Sequence, residues 1–194
     1  MGRVGYCKWG EGQPLLIVPN LYKYVITHDT GKAPCIDNNL LTLCICKPKI
    51  RKTAKVGDWV LATASKQKIS REPRIVYAAK ITKKITMEQY ALENEVRQDK
   101  IYSFDGLSLR HNGSSTHSEP YDQKTDIGGV FCLVSNEFWY FGNMAIELPK
   151  ELSFLYHFGR GHSKIRDQLL LEVTEKYFSG IEPGILGKPN HIKR

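Results

Sequence analysis

Two short stretches carry the residue types from which chemistry is most readily built. The first is Thr27-His28-Asp29-Thr30-Gly31-Lys32-Ala33-Pro34, which follows the apolar run from Tyr22 and combines an imidazole, a carboxylate, hydroxyls and a flexible glycine. A strand end holds such groups rigidly, and His28 with Asp29 suits acid/base work or hydrogen bonding to the edge of a base. The competing reading is an Asx-type turn in which Asp29 caps neighbouring amides. The second stretch is Cys46-Lys47-Pro48-Lys49-Ile50-Arg51-Lys52, in which no acid interrupts the cations. Lys47, Lys49, Arg51 and Lys52 are therefore candidates for a groove around phosphate oxygens, against the plainer alternative of an exposed connection between strands.

Aromatic residues supply a third constellation. Phe138-Trp139-Tyr140-Phe141 cannot all face one way if the segment is a strand, because successive side chains alternate. Tyr140 and Phe141, together with Trp59, are candidates for stacking an unpaired base, at roughly 1–3 kcal/mol per base; the alternative is core packing on both faces. Thr27 and Ser65 complete the candidate base-binding set. In the polar segment from Asp105 to Gly129, His111, His117, Asp122 and Asp126 could form a lid or move protons, although scattered polar residues are ordinary in a loop.

The elements that must position these residues read as strands first and helices later. Tyr22 to Thr27 and Leu40 to Cys46 are β-branched or aromatic runs, as is the shorter Leu15 to Val18. Gly57-Asp58 suits a turn feeding a strand from Trp59, and Arg74 to Lys84 is the longest strand, with Ile75, Tyr77, Ala79 and Ile81 on one face. Thr86 and Gln89 form a capping box for a short helix. Val130 to Ser135 and Phe138 to Phe141 are expected as strands joined by a hairpin at Asn136-Glu137, Pro149 as the start of a helix that Gly159 stops, and Ser163 to Phe178 as the clearest helix. The 105–129 segment shows no period and reads as a long loop. The order argues for an α+β fold in one domain, residues 1–194.

Charge sharpens the picture. The net +8 is the sum of unlike parts, because residues 47–84 hold twelve Lys or Arg against Asp58 and Glu72, whereas residues 85–151 hold eleven acids against five bases. A cationic stretch of this kind can neutralise phosphates and release counterions, though it also serves as a solvated strand face. No phosphate loop, dinucleotide fingerprint or Gly-x-Ser-x-Gly elbow occurs, which demotes the common nucleotide and serine hydrolases. Five irregularly spaced cysteines fit a reduced compartment. Cys44 and Cys46 read as facing one side of a core sheet, and His157, His162 and Cys132 make a poor zinc set, so no metal or cofactor is expected. No apolar run is long enough to span a bilayer and no leader pattern is present, so the expected location is cytoplasmic.

Taken in order, Tyr24-Val25-Ile26-Thr27-His28-Asp29-Thr30-Gly31-x-Ala33-Pro34, Cys46-Lys47-Pro48-x-Ile50-Arg51, Lys55-Val56-Gly57-Asp58-Trp59-Val60, Val76-Tyr77-Ala78, Tyr140-Phe141-Gly142 and Gly184-Ile185-Leu186-Gly187 resemble the second nucleotide modification associated domain family over almost the whole chain. The resemblance implies a bacterial or phage protein linked to modified DNA bases. The Gly57-Asp58 turn and the strand through Tyr77 are also similar to the PUA-like barrels (ASCH, EVE and YTH domains). That likeness implies a small, strongly bent mixed β-barrel with peripheral helices and a C-terminal helix. The expected function is binding of nucleic acid, DNA favoured, or of a nucleotide, with recognition of a modified or flipped base. The alternatives are a base- or nucleotide-modifying enzyme using the same pocket, with His28 or Asp29 as general base, and a protein-protein interaction module.

Overall fold

The computed structural model describes residues 18–65, 72–156, 159 and 161–190. Cys7, most of the expected Leu15 to Val18 strand, His157, and the cations Lys66, Lys68 and Arg71 lie outside the described residues. In chain order the elements are β1 (Leu21–Ile26), β2 (Cys35–Asp37), β3 (Leu40–Leu43), α1 (Pro48–Thr53), β4 (Trp59–Ala64), β5 (Arg74–Lys80), β6 (Lys83–Thr86) and α2 (Met87–Leu92). They continue with β7 (Tyr102–Phe104), β8 (Leu109–His111), α3 (Pro120–Ile127), β9 (Phe131–Ser135), β10 (Glu137–Tyr140), β11 (Ile146–Glu147), β12 (His162–Ile165), α4 (Gln168–Ser179) and β13 (Gly184–Ile185). The fold is α+β, with a C-terminal helix.

A larger sheet runs β12-β1-β4-β5-β10-β13, with β11 also on β5, and a smaller one runs β2-β3-β9-β6. Among the described residues both are open paths, so the pairings close no barrel. The sheets are nevertheless joined, because β5 continues into β6 and β9 into β10, each ribbon leaving one sheet to enter the other. This corrects the hairpin expected at Asn136-Glu137: β9 pairs with β3 and β6, whereas β10 pairs with β5 and β13. Ser135 fixes the bend, its hydroxyl donating to the Lys80 carbonyl at 2.6 Å and accepting from the Glu137 amide at 3.1 Å.

Strand alternation divides the apolar residues among three cores. Tyr22, Tyr24 and Ile26 of β1 pack with Val60 and Ala62 of β4, Phe138 and Tyr140 of β10, and Leu41, Leu43 and Leu133 of the smaller sheet. Leu21, Trp59, Leu61, Trp139 and Phe141 face the other way, onto Leu171 and Phe178 of α4. Beneath the smaller sheet, Cys44, Ile45 and Cys132 meet Met87, Tyr90 and Tyr102. The alternation expected along β5 breaks once. Ala62 pairs with Tyr77 but Thr63 pairs with Ile75, which leaves Val76 as a bulge residue and sends Ile75 into the α4 core.

Helix boundaries follow their caps. The capping box at α2 is present, with the Gln89 amide donating to Thr86 Oγ1 at 3.2 Å and the Thr86 amide to Gln89 Oε1 at 2.9 Å. The last helix begins later than its apolar spacing implies, because His162–Ile165 adds antiparallel to the free edge of β1 and Asp167 then caps the Leu170 amide. The helix expected from Pro149 is a 3-10 segment, Lys150–Leu155. The expected loop at 105–129 contains α3, which Pro120 opens; its residues are so polar that no apolar stripe announces it.

The α4 core is held by stacked indoles. Trp59 and Trp139 lie 5.7 Å apart between centroids at an interplanar angle of 8°, and the Phe178 ring sits 5.0 Å from Trp139. Phe178→Ala removes the ring that closes this stack and is expected to cost about 3–5 kcal/mol in chemical denaturation. A loss below about 1 kcal/mol would show that α4 is not clamped there.

Candidate functional site

Beside the ends of β1 and β3 lies a cleft of about 280 Å³. One wall is Ile26, Thr27, His28, Thr30, Lys32 and Ala33, the other is Ile45, Cys46 and Lys47, and Thr116 and His117 of the polar segment cover it. β3 ends at Leu43, so Cys44 and Cys46 do not share a sheet face: Cys44 enters the core below, whereas Cys46 turns into the cleft. The turn is made by left-handed backbone at Cys46 (φ 56°) and Lys47 (φ 43°), and His117 opposite has φ 53°. Non-glycine residues rarely adopt this region, and it concentrates at functional sites.

Three side chains meet across the cleft. Cys46 Sγ lies 3.6 Å from His117 Nε2, and His117 Nδ1 lies 2.6 Å from Asp126 Oδ2. Asp126 is buried near the end of α3, where its other oxygen accepts the Cys46 amide at 2.7 Å and Oδ2 also accepts the Tyr102 hydroxyl at 3.1 Å. The Asp126 hydrogen bond, with the contact to Cys46 second, raises the His117 pKa to about 10. His117 is thus an imidazolium at neutral pH. Burial lowers the ammonium pKa of Lys47, whose Nζ rests 4.3 Å from the Tyr24 ring centroid.

Arg51 binds the two halves of this arrangement together. Its side chain is fully enclosed, and it donates to the carbonyls of Cys46 (2.7 Å), Cys44 (2.6 Å), Phe131 (3.0 Å) and Asp126. A planar guanidinium with five donors suits this task as no lysine would. Gly129 makes the room for it, since a Cβ there would sit 2.2 Å from the guanidinium.

The donor atoms of Cys46, His117 and Asp126 lie within 4.8 Å of one another, close enough to consider a metal ion. The geometry does not favour one. The imidazole faces Cys46 with one nitrogen and Asp126 with the other, so a single ion cannot use all three side chains without reorienting the ring, and Lys32 and Lys47 line the same cleft. What the arrangement can do is hold a thiol against an oriented, charged imidazole.

The structure brings together some of the residues singled out from the sequence and separates others. Thr27, His28 and Lys47 line the cleft. Asp29 turns away and is buried, accepting the Tyr140 hydroxyl on both oxygens at 2.7 and 2.8 Å. Tyr140 belongs to the core between the sheets, and Trp59 and Phe141 to the α4 core, so none of these rings presents a face to the cleft. Ser65 follows β4, its amide bonded to the Ile26 carbonyl at 3.0 Å. Lys49 and Lys52 are exposed on α1, whereas Arg51 faces inward onto carbonyls and offers no phosphate contact. Cys46 was not among the site residues expected. Its imidazole partner is 71 residues away, and no local spacing links them.

An α+β domain with a small cleft lined by cations, hydroxyls and a thiol is thus defined. The chain belongs to the nucleotide modification associated domain 2 family, whose model matches residues 18–194. No curated protein and no solved structure gives a match.

Two outcomes test this geometry. Gly129→Ala should drive a methyl into Arg51 and lower stability by about 1–3 kcal/mol, read by urea denaturation; an unchanged midpoint would mean that the guanidinium is not confined there. The folded state binds the His117 proton more tightly than the unfolded chain, so the His117–Asp126 contribution to stability is complete below about pH 6.5 and fades as pH rises toward about 10. Imidazole resonances followed by NMR should titrate near pH 10 in the parent protein and at clearly lower pH in Asp126→Asn. Identical titrations in the two proteins would refute the pairing.

Proposed function

We propose that the domain binds a nucleotide, either free or as a single nucleotide flipped out of DNA, with the base in the cleft and its phosphate among Lys32, Lys47 and the exposed lysines of α1. The observation that carries this reading is the cleft itself. At about 280 Å³ it accommodates one nucleotide and no duplex, and it sets apolar Ile26, Ala33 and Ile45 beside polar Thr27, His28 and Thr30. Membership in a family associated with nucleotide modification supports the same ligand class. For a flipped base, the hydroxyl and imidazole contacts must offset a few kcal/mol of lost stacking and pairing.

The two ribbons that pass between the sheets support a bent, PUA-like arrangement for residues 1–194 as one domain. Among the described residues no helix is long and apolar enough to cross a membrane. Cys35, Cys44, Cys46 and Cys132 are free thiols, which supports a reducing, cytoplasmic location. The Cys46–His117–Asp126 contact favours a second reading, in which the bound base is also the substrate of an enzyme.

Titration calorimetry with deoxynucleotides and with single-stranded and duplex oligonucleotides tests the binding. Affinity should fall steeply as salt rises, because phosphate contacts release counterions. Lys32→Gln and Lys47→Gln should each weaken binding by about tenfold, roughly 1.4 kcal/mol. Absence of binding to any nucleotide or DNA at low salt would remove this reading.

A further inference from the structure

We infer that Cys46 is a covalent nucleophile toward a pyrimidine base, with His117 as its proton partner and Asp126 as the residue that positions His117. The inference rests on the nucleotide-binding reading above and adds a reaction to it. Its basis is geometric. The sulfur lines the cleft wall that also carries Lys47, the imidazole approaches it at 3.6 Å through Nε2, and the buried Asp126 carboxylate holds the far nitrogen at 2.6 Å. A nucleophile, a proton partner and a third group that orients the partner make up the arrangement that activates a thiol. Asp126 also takes the Cys46 amide at 2.7 Å, so one carboxylate sets both the imidazole and the backbone that aims the sulfur.

Sulfur is a soft nucleophile, and among the nucleobases the pyrimidine ring offers it the matching electrophile, a C5=C6 double bond conjugated to the polar group at C4. The step balances without a co-reactant. The reacting pair is the Cys46 thiolate beside the His117 imidazolium; the thiolate bonds to C6, and the π pair moves through C4 onto its oxygen or onto N3. C5 then takes a proton from the His117 imidazolium or from water. Loss of either C5 hydrogen, followed by expulsion of the thiolate, restores base and enzyme. The net result is exchange of the C5 hydrogen with solvent.

The imidazole contacts Cys46 from the turn after β3 and Asp126 from α3; Tyr102 of β7 bonds Asp126, and Lys47, His28 and Lys32 line the same cleft. The cationic form of His117, held up to about pH 10, keeps a proton available at the sulfur over the physiological range. Exchange should therefore fall on the alkaline side as His117 loses its second proton, and that limb should move toward neutrality in Asp126→Asn.

The test is incubation in D₂O with deoxycytidine and deoxyuridine monophosphates and with pyrimidine oligonucleotides, followed by mass spectrometry of the base and of the intact protein. Deuterium should enter C5, a protein–nucleotide adduct should be trapped at Cys46, and the monophosphate and oligonucleotide arms will tell a free from a flipped nucleotide. Cys46→Ser should lower exchange at least a hundredfold, far more than it changes nucleotide affinity. His117→Gln should slow iodoacetamide alkylation of Cys46 at pH 7 by at least tenfold. Tight binding with neither exchange nor adduct for any pyrimidine would overturn the covalent step and leave the binding reading standing. Failure to bind at all would overturn the binding reading instead. Exchange that persists in Cys46→Ser would remove the thiol from the reaction.

Discussion

A single buried guanidinium holds the cleft together. Arg51 satisfies four carbonyls drawn from the turn after β3, the end of α3 and the start of β9, and so ties α3 to the paired strands β3 and β9. An oxygen left there without a donor costs about 1–3 kcal/mol; the Asp126 carbonyl also accepts the Gly129 amide at 3.0 Å. The left-handed turn at Cys46 and Lys47 is tolerable for the same reason: its carbonyl is claimed by Arg51 and its amide by Asp126. The guanidinium also stands close to the buried Asp126, whose backbone carbonyl it binds.

The larger sheet supplies the rigid base for this arrangement by being buried on both faces. Phe138 and Tyr140 fill the space between the sheets while Trp139 and Phe141 fill the space under α4, so four adjacent aromatic residues are all structural. The Tyr140 hydroxyl then reaches Asp29, and the Tyr24 hydroxyl meets that of Tyr77 at 2.8 Å, which extends hydrogen bonding beneath the wall that carries Thr27 and His28. The wall is polar where it meets solvent and pinned where it does not.

Much of this was legible in the sequence, and the parts that were not share a cause. Apolar alternation located β1, β3, β4, β5, β9 and β10, and Thr86 with Gln89 located α2, because each signal is local. The aromatic run showed that two faces are occupied but not by what, since stacking on a base and stacking on Trp59 leave the same pattern. The cationic stretch identified Arg51 as charged without revealing that the charge faces inward; only Gly129, seventy-eight residues further on, makes the space for it. Asp126 and His117 sit in a segment whose polarity hid α3, and the thiol they address lies far upstream. Local pattern finds elements, and long-range closure decides which side chains meet.

The distance in sequence between Cys46 and its imidazole has a consequence for the order in which the protein is made. The thiol emerges in the first quarter of the chain, whereas His117, Asp126 and the Phe131 carbonyl that completes the Arg51 clamp emerge between 71 and 85 residues later. Through that interval of synthesis Cys46 is an ordinary cysteine with neither an oriented imidazole nor a fixed backbone. It has both only where α3 has docked and Arg51 has collected its last carbonyls.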